Sequence, residues 1–219
     1  MKRVALIAGC LLLAILWIGI LPFSDRSSFS VHMVVHMGVV AGAAPLLAFG
    51  LSGTRFNFTI GSIWLTPLLA SVLELFAVWG WHIPAMRALS ETSALFAGLE
   101  QLVFLGAGLT LWLSCFGGSI SGREEGRLSG TFGLLFTSMH MTLLGALLTL
   151  SPRPLYGEGG VSCFGFPLSA AADQQMGGVV MLLVGAVVYL AGGVALLAGT
   201  LNAKSPVLER APVMERDGR

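Results

Sequence analysis

Six stretches of about twenty mostly apolar residues, each closed by polar or turn-forming residues, set the rhythm of this chain. They run approximately from Val4 to Leu21, Val31 to Leu51, Ser62 to Ile83, Ser93 to Phe116, Gly130 to Leu150 and Gln174 to Leu201. A bilayer core takes roughly 20 apolar residues per helix, so each stretch predicts one transmembrane helix. The breaks are Pro22 with Ser24 and Asp25, the turn at Ser52, Gly53 and Thr54, Pro84, the charged loop at Arg123, Glu124 and Glu125, and the segment from Pro152 to Pro167. The predicted fold is an all-α polytopic bundle of about six spans over residues 1–201, followed by a polar tail, 202–219, expected to be disordered.

Composition agrees with that pattern. Hydrophobic residues make up 55% of the 219 and charged residues 11%, against about 25% charged in an ordinary soluble domain. A net charge of +1 excludes the dense basic face that nucleic acid needs. The 29 glycines predict close approach of helix backbones. Four of them, Gly178, Gly185, Gly192 and Gly199, recur every seventh residue in the last span, a stripe suited to one neighbour in a left-handed bundle. Cys10, Cys115 and Cys163 are scattered without disulfide or zinc spacing. Ile7, Ala8, Gly9 and Cys10 imitate a lipoprotein cleavage box after Lys2 and Arg3, but the apolar run continues past Cys10, so an uncleaved first helix is expected.

Charge then gives the helices a direction. With the N-terminus inside, the cytoplasmic side holds Lys2, Arg3, Arg55, Arg123, Arg127, Lys204, Arg210, Arg216 and Arg219, while the outer side holds Arg26, Arg87 and Arg153. Cytoplasmic loops retain Lys and Arg, so this split of 9 against 3 predicts both termini in the cytoplasm.

Orientation converts scattered polar residues into a map. His32 and His36 share one face of the second span near its outer start, with Met33 and Met37 beside them. The third span ends outward at Trp79, Trp81, His82 and Pro84; the fourth carries Glu100 and Gln101; the sixth opens with Asp173, Gln174 and Gln175. Deeper lie Glu74 and, between Met139 and Met141, His140. Ionisable groups at such depth need partners within the bundle, and Glu74, Glu100 and His140 are candidates for one another. Imidazole and thioether suit copper, particularly Cu(I), and a carboxylate can orient an imidazole from behind. His32, His36 and His82 are therefore the candidate ligands, with Glu100, Gln101, Asp173 and Gln174 in support. The four methionines read as packing, Trp79 and Trp81 as an interfacial belt that could include His82, His140 as an interhelical hydrogen-bond partner, and Cys163 as inert. His32 and His36 cannot serve one haem from a single face, which leaves a pair such as His36 and His82 for that chemistry. No zinc-protease motif, nucleophile elbow or phosphate loop occurs, so nothing supports hydrolysis or nucleotide use.

Five segments, HMVVHMGVVAGAAPLLAFG, WGWHIPAM, LEQLVFLGAGLTLW, MHMTLLGALLTLSPRPLY and DQQMGGVVM, occur in that order. Together, over roughly Val31 to Leu190, they resemble the CtaG family of cytochrome c oxidase assembly factors. The resemblance implies a multi-pass protein of the bacterial cytoplasmic (inner) membrane, not an enzyme, that helps to mature a haem-copper oxidase at the copper-insertion step with no turnover of its own. Its implied partners are nascent oxidase subunits and a copper chaperone, and copper would be held only transiently. The family's outer histidine pair falls on His32 and His36, its Trp-x-His-x-Pro on Trp81, His82 and Pro84, and its Asp-Gln on Asp173 and Gln174. Two features depart from it. The family's fourth-helix His-x-x-Glu-His is here Ala97, Glu100 and Gln101, two ligands fewer, and seven spans are common where six are placed. A different class of function, a small transporter moving a metal ion or proton along His36, Glu74, Glu100 and His140, is compatible with the same residues, as is a scaffold that binds no ligand.

Overall fold

A computed structural model describes residues 1–54, 66–116, 123–157, 159–163 and 165–204. Helix α1 (Lys2–Ala14) continues through a π-helical turn, Ile15–Ile20, and a 3-10 turn, Leu21–Phe23, where Pro22 closes the first span. Ser28 then accepts the amide of Val31 and starts α2 (Phe29–Met37). A second π-helical turn, Gly38–Ala43, joins α2 to α3 (Ala44–Leu51), giving a 23-residue element about 34 Å long. Such a turn leaves backbone carbonyls without their usual partner, and here the Trp112 indole donates to the Val40 carbonyl at 3.1 Å.

The third span begins with α4 (Pro67–Trp81), capped by Thr66, which accepts the Leu69 amide; its predicted first residues, 62–65, and Arg55 lie outside the described residues. After His82 the chain bends by 70° into a short helix absent from the prediction, α5 (Pro84–Thr92). Proline at its first position supplies the required φ and lacks an N–H that would have no partner there. The remaining helices are α6 (Ala94–Phe116), α7 (Arg123–Leu150) and α8 (Ala170–Lys204). Between α7 and α8 the predicted loop contains a hairpin, β1 (Gly160–Cys163) and β2 (Phe166–Ser169), pairing Gly160 with Ser169 and Cys163 with Phe166. Among the described residues five helices are long and apolar enough to cross a membrane, and six when the bent pair α4–α5 counts as one span. The described residues thus give five or six candidate spans, the sixth depending on the bent pair. Of the predicted tail, Asn202 to Lys204 are still helical, and residues 205–219 lie outside the described residues.

The glycine stripe does what its spacing predicts. A Cβ on Gly145 of α7 would stand 2.8 Å from the Leu182 nitrogen and 2.9 Å from the Gly178 carbonyl oxygen of α8. Farther along α8, Gly185 faces Met141, and Gly192 faces Trp112 and Leu134. The core contains Met33, Met37, Phe104, Leu111, Trp112, Met141 and Tyr189. Met139, by contrast, is 59% exposed, alongside Leu102, Phe132 and Leu183 on the apolar outer surface. Such a surface suits hydrocarbon, in which every backbone polar group must be satisfied within the helices.

Candidate functional site

The starts of α2, α6 and α8 and the end of α4 meet at the same end of the bundle as the hairpin, called here the hairpin end. There α2 delivers His32 and His36 from successive turns, and His82 caps α4. The ring centroids are 5.5 Å apart for His32 and His82, 5.3 Å for His36 and His82, and 6.2 Å for His32 and His36. All three side chains are buried, so His82 belongs to the cluster rather than to an interfacial belt. Trp81 is likewise buried at 7%, and Trp79 is half-buried against the core.

The hydrogen bonding of the triad is incomplete. His82 Nδ1 is 2.6 Å from the Val78 carbonyl oxygen; a carbonyl only accepts, so Nδ1 carries the proton and Nε2 keeps its lone pair. That Nε2, His32 Nε2 and both nitrogens of His36 are buried without a hydrogen-bond partner. Glu100 Oε2 lies 3.7 Å from His32 Nδ1, beyond hydrogen-bond reach yet close enough to favour the proton on that nitrogen. Glu100 Oε1 also has no partner. Buried polar atoms ordinarily find one, and a group of exceptions in one place marks a site built for something else.

The donor set fits a soft or borderline metal. Three imidazoles bound to one ion at about 2 Å per bond hold their ring centroids about 5 Å apart, close to the spacing here. Among the described residues, however, no three His, Cys, Asp or Glu side chains already converge in metal-holding geometry. A haem does not fit: with His36 and His82 rings 5.3 Å apart and Phe104 4.0 Å from His36, no slot is left for a macrocycle.

Around the triad stand residues the sequence did not single out. Phe104 lies against all three imidazoles, at 6.1, 4.0 and 6.1 Å. Phe29 stacks on Tyr156 at 4.3 Å, and the Tyr156 hydroxyl donates to the His82 carbonyl at 2.7 Å. Burial pushes that hydroxyl up to about 12, so it stays a donor at any physiological pH. A pocket of ≈ 160 Å³ approaches from another direction, lined by Asp25, Arg87, Ala94, Ala97, Glu100 and Gln101 among others, and reaching His32. Arg87 donates to the Arg26 carbonyl at 2.6 Å and pairs with Glu91 at 3.4 Å. No sequence signal joins these roles, because Phe29, Phe104 and Tyr156 are remote along the chain.

Several predicted members lie elsewhere. Asp173 does not touch the histidines: its carboxylate accepts the Phe29 and Ser30 amides and the Ser28 and Ser30 hydroxyls, capping α2 from the first turn of α8. Gln174 accepts the Leu155 amide at 2.6 Å and donates to the Leu148 carbonyl at 3.1 Å, tethering the loop that carries Tyr156. Gln101 accepts from the Trp17 indole at 3.2 Å and so joins α6 to the first span. Cys163 is buried beside the Ser30 hydroxyl at 3.0 Å. Glu74 partners neither Glu100 nor His140; Tyr189 and Thr137 donate to its two oxygens at 2.9 and 3.3 Å. His140 makes no interhelical hydrogen bond, both ring nitrogens being buried without a partner, and its ring meets Phe136. No hydrogen bond among the described residues links His36, Glu74, Glu100 and His140 into a path.

Comparison with known proteins gives one result. A family model described as cytochrome c oxidase caa3 assembly factor matches residues 1–203. No curated protein and no solved structure matches the chain.

Proposed function

The chain belongs to the family of cytochrome c oxidase caa3 assembly factors, and on that premise we propose that it serves oxidase maturation by holding Cu(I) transiently at His32, His36 and His82. The observation that carries this reading is the set of four buried imidazole nitrogens without hydrogen-bond partners. Copper is the cargo: neutral imidazole lone pairs bind it softly enough for release, and Glu100 supports His32 from behind through the Nδ1 proton. Phe29, Phe104 and Tyr156 exclude water from the bound ion. The protein acts without turnover of its own, in a bacterial cytoplasmic membrane, beside nascent oxidase subunits that take the copper and a chaperone that delivers it. The charge asymmetry of the loops supports an outward-facing hairpin end, the side on which such partners would dock.

The test is copper analysis at two levels. Purified protein given Cu(I) under reducing conditions should retain it, and His36→Ala with His82→Ala should weaken retention by about tenfold or more. In cells lacking the gene, the oxidase should be low in copper, with restoration by the unmodified chain and not by the double variant. Full oxidase copper in the deletion would exclude the role.

A further inference from the structure

The second span, which carries His32 and His36, has a proline inside it. Pro45 has no N–H to give, and its ring crowds the carbonyl one turn earlier; the residues before it widen into the π-helical turn Gly38–Ala43. In such a turn a carbonyl accepts the amide five residues on, as Val39 does from Ala44. The next acceptor is the Val40 carbonyl, and the residue five positions on is Pro45. Val40 would thus keep a bare carbonyl in hydrocarbon, where no water can serve it. The Trp112 indole takes that place, donating to the Val40 oxygen at 3.1 Å. Helix α6 holds the donor ready. A Cβ on Gly108, one turn earlier, would stand 3.3 Å from the Val40 Cα, and the Trp112 ring stacks at 5.6 Å on Tyr189, whose hydroxyl donates to Glu74.

The turn also sets which way the two halves of the span face. Gly38, Gly42 and Gly50 all pack on α1 and its continuation, where a Cβ on each would meet Leu16, Leu12 and Leu6 at 2.8, 2.9 and 2.9 Å. On an uninterrupted α-helix, Gly38 and Gly50 would lie about 120° apart around the axis. The one extra residue taken up by a π-turn reduces that to about 20°, so a single helix covers all three. His36 and His32 stand about 160° and about 120° from Gly38 around the axis. They therefore face away from the first span, towards His82 and Phe104. We propose that Trp112 is a positioning residue of the histidine site. By supplying the donor that Pro45 lacks, its indole holds the π-turn that keeps α3 on α1 while α2 turns His32 and His36 towards His82. Without the turn the two faces differ by about 100°, and one of the two contacts is lost. The consequence for copper rests on the function proposed above; the replacement of one donor by another does not.

A double-mutant cycle separates the donor from the ring. Trp112→Phe keeps an aromatic ring against Tyr189 and removes the N–H, while Pro45→Ala returns an amide to the position five residues after Val40. Thermal unfolding in detergent would be followed for the full-length chain, both single variants and the double variant. Trp112→Phe alone should lower Tm by about 3 °C or more, because a buried acceptor loses its donor. In the Pro45→Ala background the same change should cost less than half as much. An equal cost in both backgrounds would show that Trp112 contributes packing alone and would overturn the proposal. Cu(I) affinity, measured by competition with a chromophoric chelator, reads the histidines directly. Trp112→Phe should weaken it by about tenfold, and the double variant should stay within about twofold of Pro45→Ala. Unchanged affinity in folded Trp112→Phe would overturn the positioning role. Absence of Cu(I) binding in the unmodified chain would overturn the copper reading, and the Tm cycle would then uphold or overturn the donor replacement by itself.

Discussion

The carboxylate of Asp173 accepts two backbone amides and two hydroxyls at the start of α2, so one side chain of α8 satisfies donors that a helix otherwise leaves without partners. Asp173→Ala should cost about 2 to 4 kcal/mol, because charge-assisted bonds are lost and the buried donors remain. Asp173→Asn, with one carbonyl oxygen retained, should cost about half as much. Thermal unfolding in detergent is the measurement, and an unchanged Tm for Asp173→Ala would show that the cap is not load-sharing between the two spans. The opposite sign is expected at His140, whose ring nitrogens are buried without partners. Replacing an unpartnered polar side chain by an apolar one of similar size removes a desolvation penalty, so His140→Leu should match or exceed the unmodified chain in Tm. A drop of several degrees would reveal a partner for that ring. Sequence reasoning placed His32, His36 and His82 at one level of the bundle, and the structure brings their three rings together. It misplaced Asp173 because a carboxylate beside histidines in a one-dimensional map is equally a helix cap in three dimensions.

At the scale of elements, the seven-residue glycine stripe was legible because periodicity survives without knowledge of the partner. What the sequence did not contain was the identity of the facing residues, above all Gly145 of α7, which brings its backbone against Gly178 and Leu182. Gly145→Ala should therefore destabilise by about 1 to 3 kcal/mol, since the new methyl group meets backbone rather than a yielding side chain. Gly106→Ala, in a helix with nothing near its Cβ, should be neutral or gain up to about 1 kcal/mol. Equal effects at the two positions would mean that α7 and α8 do not pack as closely as described. Glu74 pins three elements, joining α4 to α7 through Thr137 and to α8 through Tyr189. Helix α5 and the β1–β2 hairpin escaped prediction for a shared reason: both are short, nine residues and four per strand, well under the length of a spanning run. The break of α4 at His82 followed from Pro84, but its 70° bend, which carries Arg87 over the pocket, depends on packing.

For the whole molecule, the functional reading depends on which way the bundle faces. Six spans follow from apolar run length, and the structure supplies five helices and a bent pair for them; direction comes from the loops alone. Part of the positive charge at the end opposite the hairpin has a local use. Lys2 donates to the Ser52 carbonyl at the end of α3, where the dipole favours a cation, and Arg127 donates to the Gly199 carbonyl in the last third of α8. Local use does not cancel the 9-to-3 excess, on which the expected cytoplasmic placement of those loops rests. The native thiols are poor reporters of this arrangement: Cys163 and Cys115 are buried, and Cys10 is exposed on the apolar surface of α1. With all three changed to alanine, Arg153→Cys would report the exposed loop at the hairpin end and Thr54→Cys the exposed turn at the other. An impermeant maleimide applied to cells with a permeabilised outer membrane should label Arg153→Cys at once and Thr54→Cys only after the inner membrane is disrupted. The reverse order would turn the histidine triad towards the cytoplasm and overturn the proposed delivery of copper from outside.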